Sequence, residues 1–335
     1  MLSGCRLMEL EIRDFPRDEW NELVARFDGL SPIQTWEYAE AKRITGGWKV
    51  ARAIFRNGDR IDGVAQCLLK RGLVRINRGP LCEDASLAAI LTELKRYWAG
   101  NKKAFLLVAP VLADRARKDA LLKATGFSSF SDRPSWSSAI IDLTGSEAAI
   151  RRELRQKWRN CLNRAEHAGL TCKFGNDEPL FAGFLSDYRR LLKEKRLRTG
   201  LTPEFLKVWQ DLLPENSKLV VFEAIRGRER LGSILLAQYG RSVIYLCGAV
   251  SAAGKQINAN YFLLWRAICE MKRSGRRAFD LGGMDEKLTP PGIFHFKAGL
   301  GGRPYQLVGE IEAHGRSLIN SLIGLGLRIY AHANN

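Results

Sequence analysis

The chain has 335 residues, of which 46% are hydrophobic and 27% are charged. This composition excludes a disordered chain, a collagen-like chain and a small disulfide scaffold, and the length predicts two domains of roughly 150 residues each. Lysine and arginine number 53 against 36 aspartate and glutamate, which gives a formal net charge of +17. That excess favours a polyanionic partner: a nucleic acid, a phosphorylated substrate or an anionic membrane. The alternative is a basic protein without such a partner.

The seven cysteines have apolar neighbours and no Cys-x-x-Cys spacing, which predicts buried thiols in a reducing compartment. The four histidines form no i, i+4 pair, so no metal site is expected. Arg6, Glu9 and Glu11 interrupt the apolar run that a signal peptide would need. No apolar stretch reaches the roughly 18 residues that a membrane-spanning helix requires. We therefore expect a cytoplasmic protein with no transmembrane segment.

Strand-like and helix-like segments alternate along the chain, which predicts a mixed α/β or α+β fold. In the first half the pattern predicts a strand hairpin, a helix and a further strand, at Val50–Arg56, Gly63–Leu69, Leu87–Trp98 and Ala104–Val108. In the second half it predicts three strands, a helix and a strand, at Val220–Arg226, Gly232–Gln238, Val243–Cys247, Asn258–Lys272 and Arg277–Leu281. The same order of elements therefore occurs twice.

Two short sequence matches support a duplicated unit. The hairpin turn Asn57–Gly63 parallels Arg226–Gly232 at an offset of 169 residues, and Gly100–Phe105 parallels Gly275–Phe279 at an offset near 174. We interpret the chain as two copies of a strand hairpin, third strand, helix and fourth strand. Chance similarity between two ordinary hairpins is the alternative.

The join between the two copies is predicted near Leu143–Glu147, where Thr144 and Glu147 fit a capping box. A single helix is expected from there to Gly169. One face of it is basic, and residues 151–200 contain 13 Lys and Arg against 6 Asp and Glu. A basic face of this kind can bind phosphate backbones, although a merely solvated face is the alternative. The candidate residues are Arg151, Arg152, Arg155 and Arg159.

Two clusters in the first half could bind an anionic ligand. Trp36, Tyr38 and Trp48 with Lys42 could line a groove for a sugar or phosphate, or could belong to an amphipathic helix with its aromatic side chains in the core. Arg78 ends a strand just before a Gly-Pro turn, where it could present a cation to a ligand or simply mark a charged edge strand.

The most informative segments are Phe279–Asp285 and Pro290–Gly302. A glycine pair follows a predicted strand in the first, and Lys297 lies among apolar residues and glycines in the second. A lysine in such surroundings can stabilise a developing oxyanion or donate a proton from a lowered pKa. No Ser-His-Asp or Cys-His arrangement is evident, and an amine can attack an activated ester without an enzyme nucleophile. A glycine-rich turn before a final strand is the alternative.

These segments together resemble the Fem family of aminoacyltransferases, which build the interpeptide bridges of peptidoglycan. The likeness covers about residues 30–312, and it depends on the order and spacing of the motifs. They are Trp36-x-x-Ala39-x-x-Lys42, Arg78-Gly79-Pro80, Trp158-Arg159-Asn160-x-x-Asn163-Arg164-Ala165, Phe279-Asp280-Leu281-Gly282-Gly283 and Gly292-Ile293-x-x-Phe296-Lys297-x-Gly299.

The resemblance implies an α/β (α+β) fold of two tandem GNAT-like domains, of the compact type without a coiled-coil arm. It implies a first domain over residues 1–145, completed by 307–335, and a second over 146–306. It also implies roles for individual residues. Lys297 and Tyr245 would be catalytic, the basic face from Arg151 to Arg159 would bind tRNA, and the substrate contacts would be Trp36, Lys42, Arg78, Phe296 and either Arg196 or Arg198.

Fem enzymes transfer an aminoacyl group from aminoacyl-tRNA to an amine on the stem peptide of a peptidoglycan precursor, either UDP-MurNAc-pentapeptide or lipid II. The resemblance therefore implies a cytoplasmic acyltransferase that acts in cell-wall biogenesis and cell shape without a cofactor. The alternative is a GNAT-like N-acyltransferase that uses acyl-CoA or an acyl carrier on another amine, for example in exopolysaccharide synthesis. The usual pyrophosphate-binding loop of acetyl-CoA enzymes is absent from the sequence, which disfavours that alternative.

The C-terminal segment from Ser317 to Ala333 is apolar on one helical face. It predicts either a helix docked on its own domain or a peripheral contact with the inner face of the membrane.

Overall fold

The computed structural model describes residues 8–131 and 133–333, with side chains as far as residue 329. Cys5 lies outside the described residues. The chain divides into two compact units, residues 1–136 with 306–335 and residues 137–305. The boundaries expected from the sequence were 145/146 and 306/307. Residues 137–142 instead fall in the second unit, because the strand that contains them pairs with the strand at Ala278–Asp280.

The helices and strands alternate along the whole chain. The strands are β1 Glu9–Arg13, β2 Lys49–Asn57, β3 Arg60–Lys70, β4 Leu73–Asn77, β5 Leu81–Cys82, β6 Phe105–Ala109, β7 Ser128–Ser129, β8 Trp136–Asp142, β9 Thr171–Gly175, β10 Val220–Arg226, β11 Glu229–Tyr239, β12 Ser242–Val250, β13 Ala278–Asp280, β14 Arg303–Leu307 and β15 Ile311–Ala313. The α-helices are α1 Arg17–Val24, α2 Trp36–Gly46, α3 Leu87–Leu94, α4 Arg115–Thr125, α5 Glu147–Glu153, α6 Gln156–Glu166, α7 Glu178–Lys195, α8 Pro203–Leu212, α9 Ala252–Gln256, α10 Ala259–Arg273, α11 Pro291–Ala298 and α12 Leu318–Ala333.

The sheet of the first unit has the strand order β1-β2-β3-β4-β6-β15-β7, and β5 pairs with β3. The strands β2 and β3 form the predicted hairpin, in which every second side chain faces a buried layer of α3 side chains. The segment after residue 306 returns to this unit, because β15 pairs with β6 on one side and with β7 on the other. The helix predicted at Leu87–Trp98 is present, and after Leu94 it continues as a π-helix over Lys95–Asn101.

The sheet of the second unit has the order β14-β8-β13-β12-β11-β10-β9. Its core lies between this sheet and the helices α6 and α10, which bury Trp158, Leu162, Leu263 and Phe279 among other apolar side chains. The helix α10 buries nine of its 15 residues, which makes it the most buried of the described helices in this unit. The segment between β9 and β10 forms α7 and α8, of 18 and 10 residues.

The duplicated unit is visible in the strand pairing. The β2–β3 hairpin has a bulge between Phe55 and Arg56, and the β10–β11 hairpin has one between Ala224 and Ile225, which is again an offset of 169 residues (224 − 55). In each unit the third strand then pairs in parallel with a fourth strand, β4 with β6 and β12 with β13. This connection places a helix between two parallel strands, as the sequence order predicted.

Two local predictions were wrong. The expected single helix from Glu147 to Gly169 is two helices, since Leu154 and Arg155 have extended backbone angles that end α5 before α6 begins. The segment Pro291–Ala298, interpreted as a flexible glycine-rich stretch, is the helix α11 with Lys297 in its last turn. Proline at the first helical position suits this start, because its missing N–H would have no partner there.

Candidate functional site

The second unit contains an opening between β12 and β13. These two strands pair only at Ser242–Ile244, whereas β12 continues to Val250. A cavity of about 660 Å³ lies beside the unpaired part of β12. It is predominantly apolar, as ligand pockets usually are. It is lined by Leu191, Lys195, Leu197, Ile234, Tyr245, Gly248, Val250, Lys255, Asn260, Leu264, Pro290, Gly292, Ile293, Phe296 and Lys297.

Lys297 is the buried cation of this cavity. Its side chain is 6% exposed, and its ammonium donates a hydrogen bond of 2.9 Å to the carbonyl oxygen of Gly283. The ammonium also lies 5.0 Å from the centre of the Tyr245 ring, where a cation is attracted by the ring face. Burial lowers the pKa of Lys297 to about 8, although the negative charge of Asp280 acts in the opposite direction. Near neutral pH the group is therefore a cation with an accessible proton.

Tyr245 and Phe296 complete the wall around this lysine. Burial raises the pKa of the Tyr245 hydroxyl above its ordinary value, so the group is neutral at physiological pH. The Phe296 ring packs edge-on against Tyr261 at 4.9 Å, and its carbonyl oxygen accepts a 3.0 Å hydrogen bond from the indole of Trp158. The structure thus brings together three residues that were selected from the sequence, Tyr245, Phe296 and Lys297.

A buried carboxylate supports the loop that contacts Lys297. Asp280 is 4% exposed at the end of β13. It accepts hydrogen bonds from the Ser138 hydroxyl, from the backbone N–H of Gly282 at 2.8 Å and from the Tyr305 hydroxyl at 2.6 Å. Gly282 has φ of +71°, and a Cβ there would lie 2.2 Å from the Tyr245 carbonyl oxygen. Only glycine fits this approach of the loop to β12.

The end of α7 contributes a basic side chain to the cavity. Arg196 ends α7 in a left-handed conformation with φ of 50°, and both Arg196 and Arg198 are exposed. Among the described residues that line the cavity, this segment contributes Lys195 and Leu197, and neither arginine belongs to the lining. Lys195 is thus the cation of this segment that lines the cavity, and the predicted substrate contact of Arg196 or Arg198 stays a prediction.

Lys255 and Asn260 were missed in the sequence. They lie on the connection from β12 to α10 and on the first turn of α10. The signal that could have found them is their position directly after the predicted third strand, where a strand leads into a helix N-terminus. Lys195 and Lys255 also line a polar crevice of about 210 Å³ that shares residues with the cavity. The cavity mouth is therefore cationic.

A second group of cations lies in the first unit. The Lys42 ammonium is 5.4 Å from the centre of the Tyr38 ring, and burial lowers the pKa of Lys42. Burial raises the pKa of Tyr38 to about 12, while the charges of Arg75 and Arg78 oppose that rise. The Arg78 guanidinium lies 4.0 Å from the centre of the Trp136 ring. Lys42 and Arg78 were predicted from separate motifs, and both interact with Tyr38: Lys42 lies over its ring, and the charge of Arg78 opposes the rise of its pKa.

Trp36 does not share this region. Its indole N–H donates to the carbonyl oxygen of Phe15 at 3.1 Å, and its ring packs against the apolar cluster around Trp20 and Val24. The Arg52 guanidinium lies 5.3 Å from its ring centre. Trp36 therefore has a packing role, which is the alternative that the sequence left open, and its predicted substrate contact stays a prediction.

The four arginines of the predicted tRNA-binding face divide into two pairs. Arg151 forms an ion pair with Glu166 at 2.6 Å, and the Arg159 guanidinium donates to the carbonyl oxygens of Arg152 and Leu154 at 2.8 Å each. Arg159 thereby donates hydrogen bonds to carbonyl groups at the C-terminal end of α5, so its guanidinium has a structural role. Arg152 and Arg155 are exposed, and neither forms an ion pair with any described residue. They are the two fully exposed members of the set.

No metal-binding cluster is present in the part of the chain that the structure describes, and none of the described helices is both long enough and apolar enough to cross a membrane.

The comparisons with known proteins agree with this architecture. Residues 150–298 match the family model described as an acetyltransferase (GNAT) domain. The fold is similar to the crystal structure of FemX, with a TM-score of 0.81 and 17% identity over 94% of this chain and 100% of that one. The chain has the tandem GNAT fold of the Fem type. The fold class predicted from the sequence is thereby confirmed, and the second unit is a GNAT acyltransferase domain.

Two further solved structures share the tandem arrangement. The C-terminal domain of a putative lysylphosphatidylglycerol synthetase from Agrobacterium fabrum has a TM-score of 0.57 and 14% identity, and covers 92% of this chain and 95% of that one. A tandem GNAT protein from the clavulanic acid biosynthesis pathway has a TM-score of 0.55 and 14% identity, and covers 92% and 100%. No curated protein sequence matches the chain.

Proposed function

We propose that the chain transfers an aminoacyl group from aminoacyl-tRNA to an amine on the stem peptide of a peptidoglycan precursor, UDP-MurNAc-pentapeptide or lipid II. The observation that carries the proposal is the opening beside β12, in which the buried Lys297 faces an apolar cavity large enough for an acyl group and its carrier terminus. The likeness of the fold to FemX supports aminoacyl-tRNA as the donor.

The chemistry needs no nucleophile from the protein. The acceptor amine attacks the ester carbonyl, the new C–N bond forms, and the ester C–O bond breaks with release of the 3′-hydroxyl of the tRNA. The proton lost by the amine is taken up by the departing oxygen. Negative charge develops on the carbonyl oxygen during the attack, and a preorganised cation in a water-poor site is the group that stabilises such charge. Lys297 is the residue to which we assign this task, and Tyr245 positions it.

The phosphates of both substrates have candidate contacts. We assign the acceptor's phosphates to Lys42 and Arg78, the cations that act on the region around Tyr38. We assign the tRNA backbone to Arg152 and Arg155 and the phosphates near the tRNA terminus to Lys195 and Lys255 at the cavity mouth. Both substrates are cytoplasmic or face the cytoplasm, so we place the reaction there, in cell-wall biogenesis.

A second candidate is an N-acyltransferase that takes its acyl group from acyl-CoA. The match of residues 150–298 to an acetyltransferase domain favours it. The two candidates share the opening and Lys297, and they differ in the donor.

A transfer assay with alternative donors tests the proposal. The purified protein receives either a mixed pool of charged tRNAs or a set of acyl-CoAs, with UDP-MurNAc-pentapeptide or lipid II as acceptor, and the product mass is measured. We expect the acceptor to gain the mass of one amino acid, and the gain to vanish when the tRNA is treated with ribonuclease. A gain with acyl-CoA alone would contradict the proposal and support the second candidate.

A further inference from the structure

The C-terminal helix α12 has two faces of different character. One face is docked on the first unit, where Ile323 and Leu327 pack against the cluster of Leu73, Phe105 and Leu107. Asn320 is 2% exposed, and its side-chain amide donates to the carbonyl oxygens of Lys103 at 3.3 Å and Gly315 at 3.1 Å. This face of α12 is docked on its own unit, as one of the two alternatives predicted from the sequence.

The opposite face carries an apolar stripe that the fold leaves uncovered. Of the ten large hydrophobic side chains that the described part of the chain exposes, five belong to α12. Their exposed fractions run from 55% to 85%, and their spacing of three and four residues places most of them along one side of the helix. The apolar stripe consists of Leu318, Ile319, Leu322, Leu325 and Ile329.

Exposed cations lie next to α12, beside its docked face. The turn Lys102–Lys103 accepts the hydrogen bond from Asn320, and Gly72 of the turn that begins with Arg71 lies against Ile323. Arg71, Lys102 and Lys103 are exposed, as is Arg316, which precedes the first turn of α12. Hydrophobic side chains flanked by lysine and arginine are typical of helices that lie in the interface of an anionic bilayer.

We infer that α12 docks the first unit on the surface of an anionic lipid bilayer, with the apolar stripe inserted among the lipid chains and these exposed cations on the headgroups. Charge complementarity favours the bilayer, rather than a second copy of the chain, as the partner that covers the apolar stripe. A two-fold contact through the apolar stripe would bring the same cations of both copies together, which is unfavourable. An anionic headgroup layer neutralises them instead. Docking through α12 involves the first unit alone and does not depend on which donor the second unit uses.

Vesicle sedimentation tests the inference. The full chain is centrifuged with vesicles of phosphatidylcholine alone and with vesicles of phosphatidylcholine and phosphatidylglycerol in equal parts. We expect the protein to pellet with the mixed vesicles and to stay in the supernatant with phosphatidylcholine alone. The triple variant Leu322→Ser, Leu325→Ser and Ile329→Ser should lower the partition coefficient about tenfold or more. The triple variant Arg71→Gln, Lys102→Gln and Lys103→Gln should lower it about tenfold, because each basic residue near the surface contributes to the attraction.

A matched control is available in the same unit. Ile44 lies on α2 and is 53% exposed, close to the 55% of Leu325, so Ile44→Ser removes comparable apolar surface outside the apolar stripe. It should pellet as the unchanged protein does. Since all these side chains are exposed, thermal melting of the variants should match that of the unchanged protein, which separates loss of docking from loss of folding.

Three results would overturn the inference. The first is failure of the unchanged protein to pellet with the mixed vesicles, and the second is undiminished pelleting of the serine variant. The third is a dimer in light scattering that the serine variant converts to a monomer, since the apolar stripe would then be covered by a second copy. Loss of transfer activity in the assay described above would leave the vesicle result unaffected, so the two proposals fail separately.

Discussion

The two units of this protein are built on the same plan and differ at one pair of strands. In the first unit, β4 pairs with β6 along all five of its residues, Leu73–Asn77. In the second unit, β12 pairs with β13 over three residues and then continues for six more, to Val250, paired only with β11 on its other side. The bulged hairpin before these strands is retained in both, at an offset of 169 residues.

This difference shows how a duplicated fold divides its tasks. Separated parallel strands leave backbone groups and side chains facing a cavity, and in the second unit that cavity contains Tyr245, Phe296 and Lys297. The continuous pairing of β4 with β6 leaves no such gap along those strands, and the first unit instead presents cations around Tyr38 and the apolar stripe of α12. We therefore assign the chemistry and the binding of tRNA to the second unit, and the binding of the acceptor's phosphates and of an anionic bilayer to the first.

Among the residues that the structure describes, each unit contains one strongly buried lysine. Exchanging each of these two lysines for methionine should give the largest contrast. Lys118 and Lys297 are each 6% exposed, and Lys118 donates to the Ser129 hydroxyl at 2.9 Å. Lys297→Met should lower the single-turnover transfer rate about 100- to 1000-fold, because a preorganised charge at the reacting centre is lost. Lys118→Met should leave that rate unchanged and lower the free energy of unfolding by roughly 1–3 kcal/mol. Equal rate losses in the two variants would contradict the assignment.

The same lysine predicts a pH dependence of stability. Burial holds the pKa of Lys297 near 8, below its unfolded value of 10.5, so the unfolded chain binds more protons between these values. The free energy of unfolding should therefore gain up to about 3 kcal/mol from this group as pH rises from 8 to 10.5. Lys297→Met should lack this gain in denaturant titrations at both pH values. An identical pH dependence in both proteins would show that the lysine is not buried as described.

Replacing Gly282 should cause the next largest loss of transfer rate. A Cβ there would lie 2.2 Å from the Tyr245 carbonyl oxygen, whereas Gly227 has a similar φ of +61° and no atom within 4 Å of its Cβ position. Gly282→Ala should displace the loop that contacts Lys297 and lower the transfer rate roughly 10- to 100-fold. Gly227→Ala should cost only about 1 kcal/mol of stability, since it carries the backbone penalty alone. Comparable rates for the two alanine variants would argue against a close contact of this loop with β12.

Replacing Asp280 should have a smaller effect, which is visible in the pH dependence of the transfer rate. Its charge raises the pKa of Lys297 against the effect of burial. Asp280→Asn should therefore shift the alkaline loss of activity to lower pH and reduce the rate about tenfold at neutral pH. Tyr305→Phe removes the 2.6 Å hydrogen bond to the same carboxylate without changing its charge, so its profile should shift less. A profile that does not move in Asp280→Asn would contradict the electrostatic coupling.

Arg152 and Arg155 should give the smallest change. Replacing both with glutamine should weaken tRNA binding and reduce the slope of log affinity against log salt by about two, one for each phosphate that the variant no longer neutralises. Arg151→Gln is the matched control, because that guanidinium is held by Glu166 and Asn163. Filter binding at several salt concentrations measures both. The assignment of the tRNA backbone to this face is wrong if the slope of the double variant equals that of the control.

The sequence predicted the repeated order of elements because hydrophobic periodicity and turn residues are local signals. Val220–Arg226 is a strand over the bounds predicted, and the predicted helix at 258–272 is α10 at Ala259–Arg273. The break between Leu154 and Arg155 was missed, since an apolar stripe continues across both α5 and α6 at helical spacing. The helix α11 was missed because its two prolines and its glycine resemble a turn.

The site was predictable where a motif fixed it and unpredictable where tertiary packing decided. Lys297 and Tyr245 meet in the cavity as the resemblance implied. Trp36 packs, partly buried, against the cluster around Trp20, which is the alternative that the sequence left open. Lys195, next to Arg196 and Arg198, is the cation of its segment that lines the cavity, and a basic run at a helix end does not say which of its residues does so.

The most direct test of the division of tasks is a crystal structure with a donor analogue that cannot react, a short RNA carrying its aminoacyl group through an amide at the 3′ end. We expect the aminoacyl group in the cavity beside β12, with its carbonyl oxygen near the ammonium of Lys297, and the terminal phosphates at Lys195 and Lys255. An analogue bound on the first unit around Tyr38, with the cavity of the second unit empty, would contradict the division of tasks between the two units.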